Sequence, residues 1–133
     1  MSELSATIRV ASFLSGALLV YGLFHFGAQP IAVGLFSSPI DKIAHVGVFG
    51  LIAVMLWVLF DRKYPLLVIF LVAMTGAADE VHQMFLPGRI ADVGDWMADV
   101  SGACLPIFAL MLGRKKSVEL PDEAKQSERP RQA

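Results

Sequence analysis

The chain alternates between long apolar stretches and short polar breaks, which is the pattern of a membrane protein with several spans. Four of its stretches come close to the roughly 20 mostly apolar residues that a helix needs to cross a bilayer. They lie at about 8–27, 40–60, 65–86 and 93–112. Proline, glycine or charged residues fill the breaks between them. Because lipid offers no hydrogen bonds to the backbone, the pattern predicts an all-α, integral membrane four-helix bundle.

The first stretch also has features of a signal peptide, since Arg9 lies near the start of an apolar run. The run is long for a signal peptide, and the residues around Gly27 make a poor cleavage site. We therefore predict an uncleaved first helix and one four-helix transmembrane domain over residues 1–116. Residues 117–133 are polar, of mixed charge and contain proline, which predicts a disordered cytoplasmic tail.

Composition supports a membrane protein and excludes some functions. Hydrophobic residues make up 56% of the 133 residues and charged residues 17%, more apolar surface than a soluble core of this size can bury. The net charge of −1 gives no electrostatic signature of nucleic-acid binding, so nucleic acid is not expected as a partner. Cys104 is the sole cysteine and fits neither an internal disulfide nor a metal-site spacing.

The basic residues predict the orientation, because cytoplasmic loops collect lysine and arginine. An N-terminus inside places six basic residues in the cytoplasm: Arg9, Arg62, Lys63, Arg114, Lys115 and Lys116. Only Lys42 and Arg89 then lie outside. We therefore predict that both termini are cytoplasmic. Trp57 at an inner helix end and Trp96 at an outer end fit interfacial aromatic belts.

This topology gathers polar residues at the outer end of the bundle. Helices two and four begin there and helix three ends there, so distant segments converge at one depth. Ionisable groups are expensive in lipid and face the bundle interior or water. The residues that we predict to bind a ligand at this end are Asp41, His45, Glu80, Gln83, Arg89, Asp92, Asp95 and Asp99. Within this set Glu80, Asp95 and His45 are the candidates for catalysis, and no metal or other cofactor can be assigned.

Structural roles are open for several of these side chains. Ser38 is positioned to cap helix two, with Asp41 as its acidic partner in the first turn. Asp92 and Asp95 have the same relation at the start of helix four. Lys42 fits a simple anchor at the lipid headgroups. Capping and anchoring do not account for the deeper acidic residues of helices three and four.

The polar residues also occur in a recognisable order. The order is Asp41-Lys42-x-x-His45, then Glu80-x-x-Gln83-x-x-x-Pro87-Gly88-Arg89, then Asp92-x-x-Asp95 and Gly102. This pattern, over about 39–102, resembles the VanZ-like family, which is named for a membrane protein linked to teicoplanin resistance. Asp99 stands where that family usually has asparagine, and Asp79 and His82 are additions to its pattern. The resemblance implies an envelope-associated protein of the cell membrane with an effect on glycopeptide susceptibility.

Three functions remain open. In the first, the protein binds membrane lipid or a lipid-linked envelope precursor. Arg89 would grip a phosphate, His45 and Gln83 would donate to it, and Glu80 and Asp95 would hold Arg89 and the histidines in place. In the second, it is an intramembrane enzyme for lipid-linked phosphates that uses the same carboxylates and His45 as acid, base or metal ligands. In the third, it is a structural subunit or a small transporter, for which four helices would need an oligomer.

Overall fold

The four predicted spans are four α-helices in the computed structural model, which describes residues 4–35 and 39–118. The helices are α1 (Ala6–Gly27), α2 (Ile40–Leu59), α3 (Pro65–Gln83) and α4 (Val93–Val118), with a 3-10 turn at Pro30–Ala32. Each helix is long and apolar enough to cross a membrane. The described residues contain no strand. The all-α four-helix membrane fold predicted from the sequence is therefore confirmed.

Two helix ends differ from the sequence boundaries. Helix α3 ends at Gln83 rather than at 86, because the chain turns ahead of Pro87, which disfavours helix in the residue before it. Helix α4 continues to Val118, beyond the predicted end at 112. The predicted cap Ser38 lies outside the described residues, as does 119–133, which holds most of the predicted tail.

The core forms where α2 packs against α3 and α4. Its fully or almost fully buried residues are Phe49, Ile52, Ala53, Trp57, Val68, Val72, Ala103 and Ile107. Helix α1 buries no residue completely and packs mainly on α2. Trp57 is 3% exposed, so its assignment to an interfacial aromatic belt was wrong. Trp96 is 38% exposed, and its indole nitrogen donates to the Ala73 carbonyl at 3.0 Å.

Helices α2 and α4 approach each other most closely at Gly102. A Cβ atom built on Gly102 would lie 2.5 Å from the Val46 carbonyl oxygen, and one built on Gly50 would lie 3.0 Å from the Gly102 carbonyl oxygen. Small residues allow such backbone contact between membrane helices. This contact sets the distance between the two helices that carry most of the polar residues described below.

At the end of the bundle where α1 begins, Leu4 and Arg9 contact the end of α2 and the turn between α2 and α3. Arg9 Nε donates to the Leu59 carbonyl at 2.9 Å, and the Leu4 amide donates to Asp61 Oδ1 at 2.9 Å. Lys63 forms an ion pair with Asp61 at 2.8 Å. The Leu4 amide and then Lys63 hold the pKa of Asp61 below its usual value. We call this the basic end of the bundle.

The Gly102 contact is testable by adding one methyl group. We expect Gly102→Ala to lower the free energy of unfolding by about 1–3 kcal/mol, since the new Cβ would push α4 away from the α2 backbone. Thermal unfolding in detergent measures this. Gly47→Ala in α2 is the matched control, because a Cβ there meets nothing within 4 Å. Equal stability of the two variants would contradict the close contact.

Candidate functional site

Lys42 connects α2 to the start of α4. Its Nζ lies 2.9 Å from Asp92 Oδ2 and 2.7 Å from Asp95 Oδ1. Gly94 makes room for it, because a Cβ at Gly94 would lie 2.9 Å from Lys42 Nζ. The interpretation of Lys42 as a headgroup anchor alone was wrong. Its position next to Asp41 in the family pattern was the signal in the sequence that could have identified it.

Asp92 caps helix α4, as the sequence had suggested. Its Oδ1 accepts from the Gly94 amide at 2.7 Å, and its carbonyl accepts from the Asp95 amide at 2.9 Å. The hydrogen bond from Lys42, followed by that from Gly94, lowers the pKa of Asp92. Asp95 does not cap the helix and binds Lys42 instead. Asp41 accepts from the Lys42 amide at 2.9 Å, and α2 begins without a side-chain cap.

Glu80 joins α3 to the same place. Its Oε2 accepts from the Asp92 amide at 2.6 Å, and the residue is only 8% exposed. Arg89 bonds to a different part of the chain. Its Nη1 donates to the carbonyl of Ala32, in the connection between α1 and α2, at 3.1 Å. The prediction that Glu80 holds Arg89 was therefore wrong. Glu80 fixes the start of α4 rather than the arginine.

Asp99 holds His45, a role that the sequence had given to Glu80 and Asp95. His45 Nδ1 lies 2.7 Å from Asp99 Oδ1, and Asp99 is completely buried. Asp99 fits there because α3 presents Gly76, where a Cβ would lie 2.5 Å from Asp99 Oδ2. The imidazole also stacks on Phe49, with the ring centres 6.0 Å apart and the planes 3° from parallel. The histidine is therefore held on two sides.

The remaining buried polar pair lies within α3. Gln83 Nε2 donates to Asp79 Oδ2 at 2.9 Å, and both residues are buried. Their spacing of four residues places them on one helix face, as the sequence indicated. Asp79 was not among the predicted site residues, although its place in an otherwise apolar helix was a usable signal. His82 lies away from this pair and packs against Phe24 of α1, with ring centres 5.3 Å apart.

A pocket of about 410 Å³ lies at this end of the bundle, which we call the polar end. Five of the eight predicted site residues line it: Asp41, His45, Gln83, Arg89 and Asp95. The rest of its lining is mostly apolar and is formed by Leu23, Ala32, Gly34, Leu35, Ala44, Val48, Phe49, Gly88 and Ile90. Glu80, Asp92 and Asp99 do not line the pocket. Glu80 accepts from the Asp92 amide, Asp92 binds Lys42, and Asp99 binds His45. The pocket lining thus combines charged, polar and hydrophobic residues.

The described part of the chain contains no group of three or more His, Cys, Asp or Glu residues arranged to hold a metal ion. The carboxylates of the polar end bond instead to Lys42, His45, Gln83 and backbone amides.

Four membrane-spanning helices around a polar pocket at one end define a multi-pass membrane protein with a candidate binding site. The family model described as VanZ/LLP1 matches residues 5–114 of this chain. The chain therefore belongs to the VanZ family, and the resemblance seen in the sequence is confirmed. No curated protein and no solved structure matches it.

Proposed function

We propose that the pocket at the polar end binds the headgroup of an envelope lipid or of a lipid-linked envelope precursor. The observation that carries this proposal is the position of Arg89, which lines an amphiphilic pocket without a carboxylate partner among the described residues. A lipid has the matching shape, with a phosphate beside apolar chains. The five polar lining residues would contact the headgroup.

The guanidinium of Arg89 has unused hydrogen-bonding capacity. It carries five N–H donors, and among the described residues its only side-chain bond runs from Nη1 to Ala32. Its Nε is buried and has no partner there. A buried donor without a partner is costly, and phosphate oxygens match the planar guanidinium with two parallel bonds. Gln83 lines the same pocket and has a second amide N–H to donate, and His45 can donate from Nε2 when its ring is protonated.

The hydrophobic residues that line the pocket suit the upper acyl chains of a lipid, next to its headgroup. Leu23 from α1, Val48 from α2 and Ile90 from the turn before α4 are among them. Ile90 is 86% exposed, so the pocket is open to the outside of the bundle at this residue. In a bilayer the upper acyl chains would lie there. A water-soluble phosphate compound would gain nothing from these side chains, whereas a lipid would.

The outward orientation of the polar end is part of the proposal. It rests on the excess of basic residues at the other end, where Arg9 and Lys63 lie. In a Cys104→Ala background, we expect an impermeant maleimide to label Pro87→Cys but not Lys63→Cys in intact cells. Labelling of Lys63→Cys alone would place the pocket in the cytoplasmic leaflet.

Lipid binding predicts a loss of retained lipid when Arg89 changes. We expect Arg89→Gln to lower the retention of phospholipid or polyprenyl phosphate at least about tenfold, since it removes the charge-assisted bonds. Arg89→Lys keeps the charge but not the fork of donors and should retain an intermediate amount. Native mass spectra of protein released from nanodiscs of its host's lipids measure this.

The control is Arg9→Gln, which makes the same substitution as Arg89→Gln but at the basic end. It should leave lipid retention at the wild-type level. Equal retention by Arg89→Gln and wild type would contradict the proposal.

An effect on teicoplanin susceptibility, and a location in the cell membrane, are further parts of the proposal that rest on the family. Expression in a teicoplanin-susceptible host should raise the tolerated concentration with wild type and not with Arg89→Gln.

A second candidate function, an enzyme acting on the bound phosphate ester, is favoured by the pairing of His45 with Asp99. A buried carboxylate on Nδ1 keeps the proton on that nitrogen and leaves the lone pair of Nε2 available as a base. Nε2 would take a proton from water as its oxygen bonds to phosphorus. The bond to the leaving alcohol would break, and that alcohol would receive the proton from His45.

Catalysis predicts a dependence on both members of the pair. We expect His45→Gln and Asp99→Asn each to slow headgroup release from phospholipid or polyprenyl phosphate by about 100-fold or more. Mass spectrometry of lipid products formed in ¹⁸O-labelled water measures the reaction, and Arg9→Gln is again the control. If wild type gives no product with either lipid class, the enzyme candidate fails and lipid binding stands by itself.

A further inference from the structure

We infer that the headgroup bound at the polar end is zwitterionic, with an ammonium group held by Asp41 and a phosphate held by Arg89. An aminophospholipid such as phosphatidylethanolamine is the chemical class that fits. This inference rests on the proposed function and narrows it. The juxtaposition that carries it is an Asp41 carboxylate and an Arg89 guanidinium on the wall of one amphiphilic pocket, neither of which forms an ion pair among the described residues.

The Asp41 carboxylate lines the pocket. Among the described residues, its one hydrogen bond runs from the adjacent Lys42 amide to Oδ1. The nearest candidate cation in sequence, the Lys42 ammonium, is already bonded to Asp92 and Asp95. Among the described residues no lysine, arginine or histidine forms an ion pair with Asp41. A half-buried carboxylate that lines a pocket in this way is ready to accept from a ligand cation.

Arg89 and Asp41 do not neutralise each other. Both line the pocket, yet no ion pair joins them, and the arginine reaches the Ala32 carbonyl instead. Each side chain is therefore available to a ligand group of the opposite charge. A zwitterion would complement both charges at once. A lipid such as phosphatidylglycerol would satisfy Arg89 but offer Asp41 only a neutral hydroxyl.

The other charges at the polar end point the same way. The Lys42 ammonium faces two carboxylates, and His45 faces the carboxylate of Asp99. The three carboxylates of Asp41, Asp92 and Asp95 outnumber the cationic side chains of Lys42 and Arg89. This excess of acidic groups disfavours a headgroup with several negative charges, such as a pyrophosphate. A headgroup without net charge suits this environment better.

The test compares three phospholipids. Each has one phosphodiester group, and they differ in the alcohol attached to it. Wild type is reconstituted in nanodiscs with equal amounts of dioleoyl phosphatidylethanolamine, phosphatidylglycerol and phosphatidylcholine, and retained lipid is read from native mass spectra. We expect phosphatidylethanolamine to exceed each of the others at least about tenfold, because an ammonium with N–H groups can bond to Asp41. The quaternary ammonium of phosphatidylcholine has no N–H donor.

Two variants at one position separate charge from shape. Asp41→Asn has nearly the same shape and removes the charge, so the ratio of phosphatidylethanolamine to phosphatidylglycerol should fall about tenfold. Asp41→Glu keeps the charge and should keep the preference. Asp41→Ser serves if Asp41→Asn does not fold, since serine also removes the charge and keeps a small polar side chain. Thermal unfolding in detergent checks that each variant is folded.

The outcomes distinguish this inference from the function on which it rests. Equal retention of phosphatidylethanolamine and phosphatidylglycerol by wild type overturns the inference, as does an unchanged ratio in Asp41→Asn. If Arg89→Gln still loses both lipids in those cases, lipid binding stands without the ammonium site. If wild type retains no phospholipid, the inference fails, and the proposed function then depends on retention of polyprenyl phosphate. If Arg89→Gln retains as much of either lipid class as wild type, the proposed function fails and the inference fails with it.

Discussion

The rest of the structure depends on one constraint, that a charge near the hydrocarbon of a bilayer must be paired or face water. Lys42 meets it by binding Asp92 and Asp95, and His45 meets it by binding Asp99. Each of these contacts joins α2 to α4. The contact at Gly102 brings the two helices close enough for these side chains to meet. Packing and electrostatics therefore fix the same pair of helices.

The pocket is what remains at the polar end once those charges are paired. The internal pairs use up the ammonium of Lys42 and the carboxylate of Asp99, and they leave Arg89 and Asp41 without ionic partners among the described residues. A purely structural cluster has no need of an unpaired charge beside an open hydrophobic wall. This contrast favours ligand binding over a role as internal support, and it is the reason for preferring a lipid site to a structural subunit.

Hydropathy was sufficient to predict the fold, because the length of an apolar run decides whether it can span a bilayer. The convergence of the polar residues followed from helix order alone. The hydrogen-bond partner of each polar residue could not be predicted from helix order, since it depends on the conformation of the turns. Gly88 has φ +78°, and the turn that contains it directs Arg89 towards Ala32 rather than Glu80. Trp57 was misplaced because composition cannot tell which face of a helix meets the core.

The most direct measurement of the central claim is an experimental structure of the protein purified with its host's lipids. We expect a headgroup in the pocket, with phosphate oxygens within hydrogen-bond distance of the Arg89 guanidinium and an apolar chain leaving past Ile90. The contrary result would be Arg89 paired with a carboxylate of the protein and lipid bound only along the outer faces of the helices.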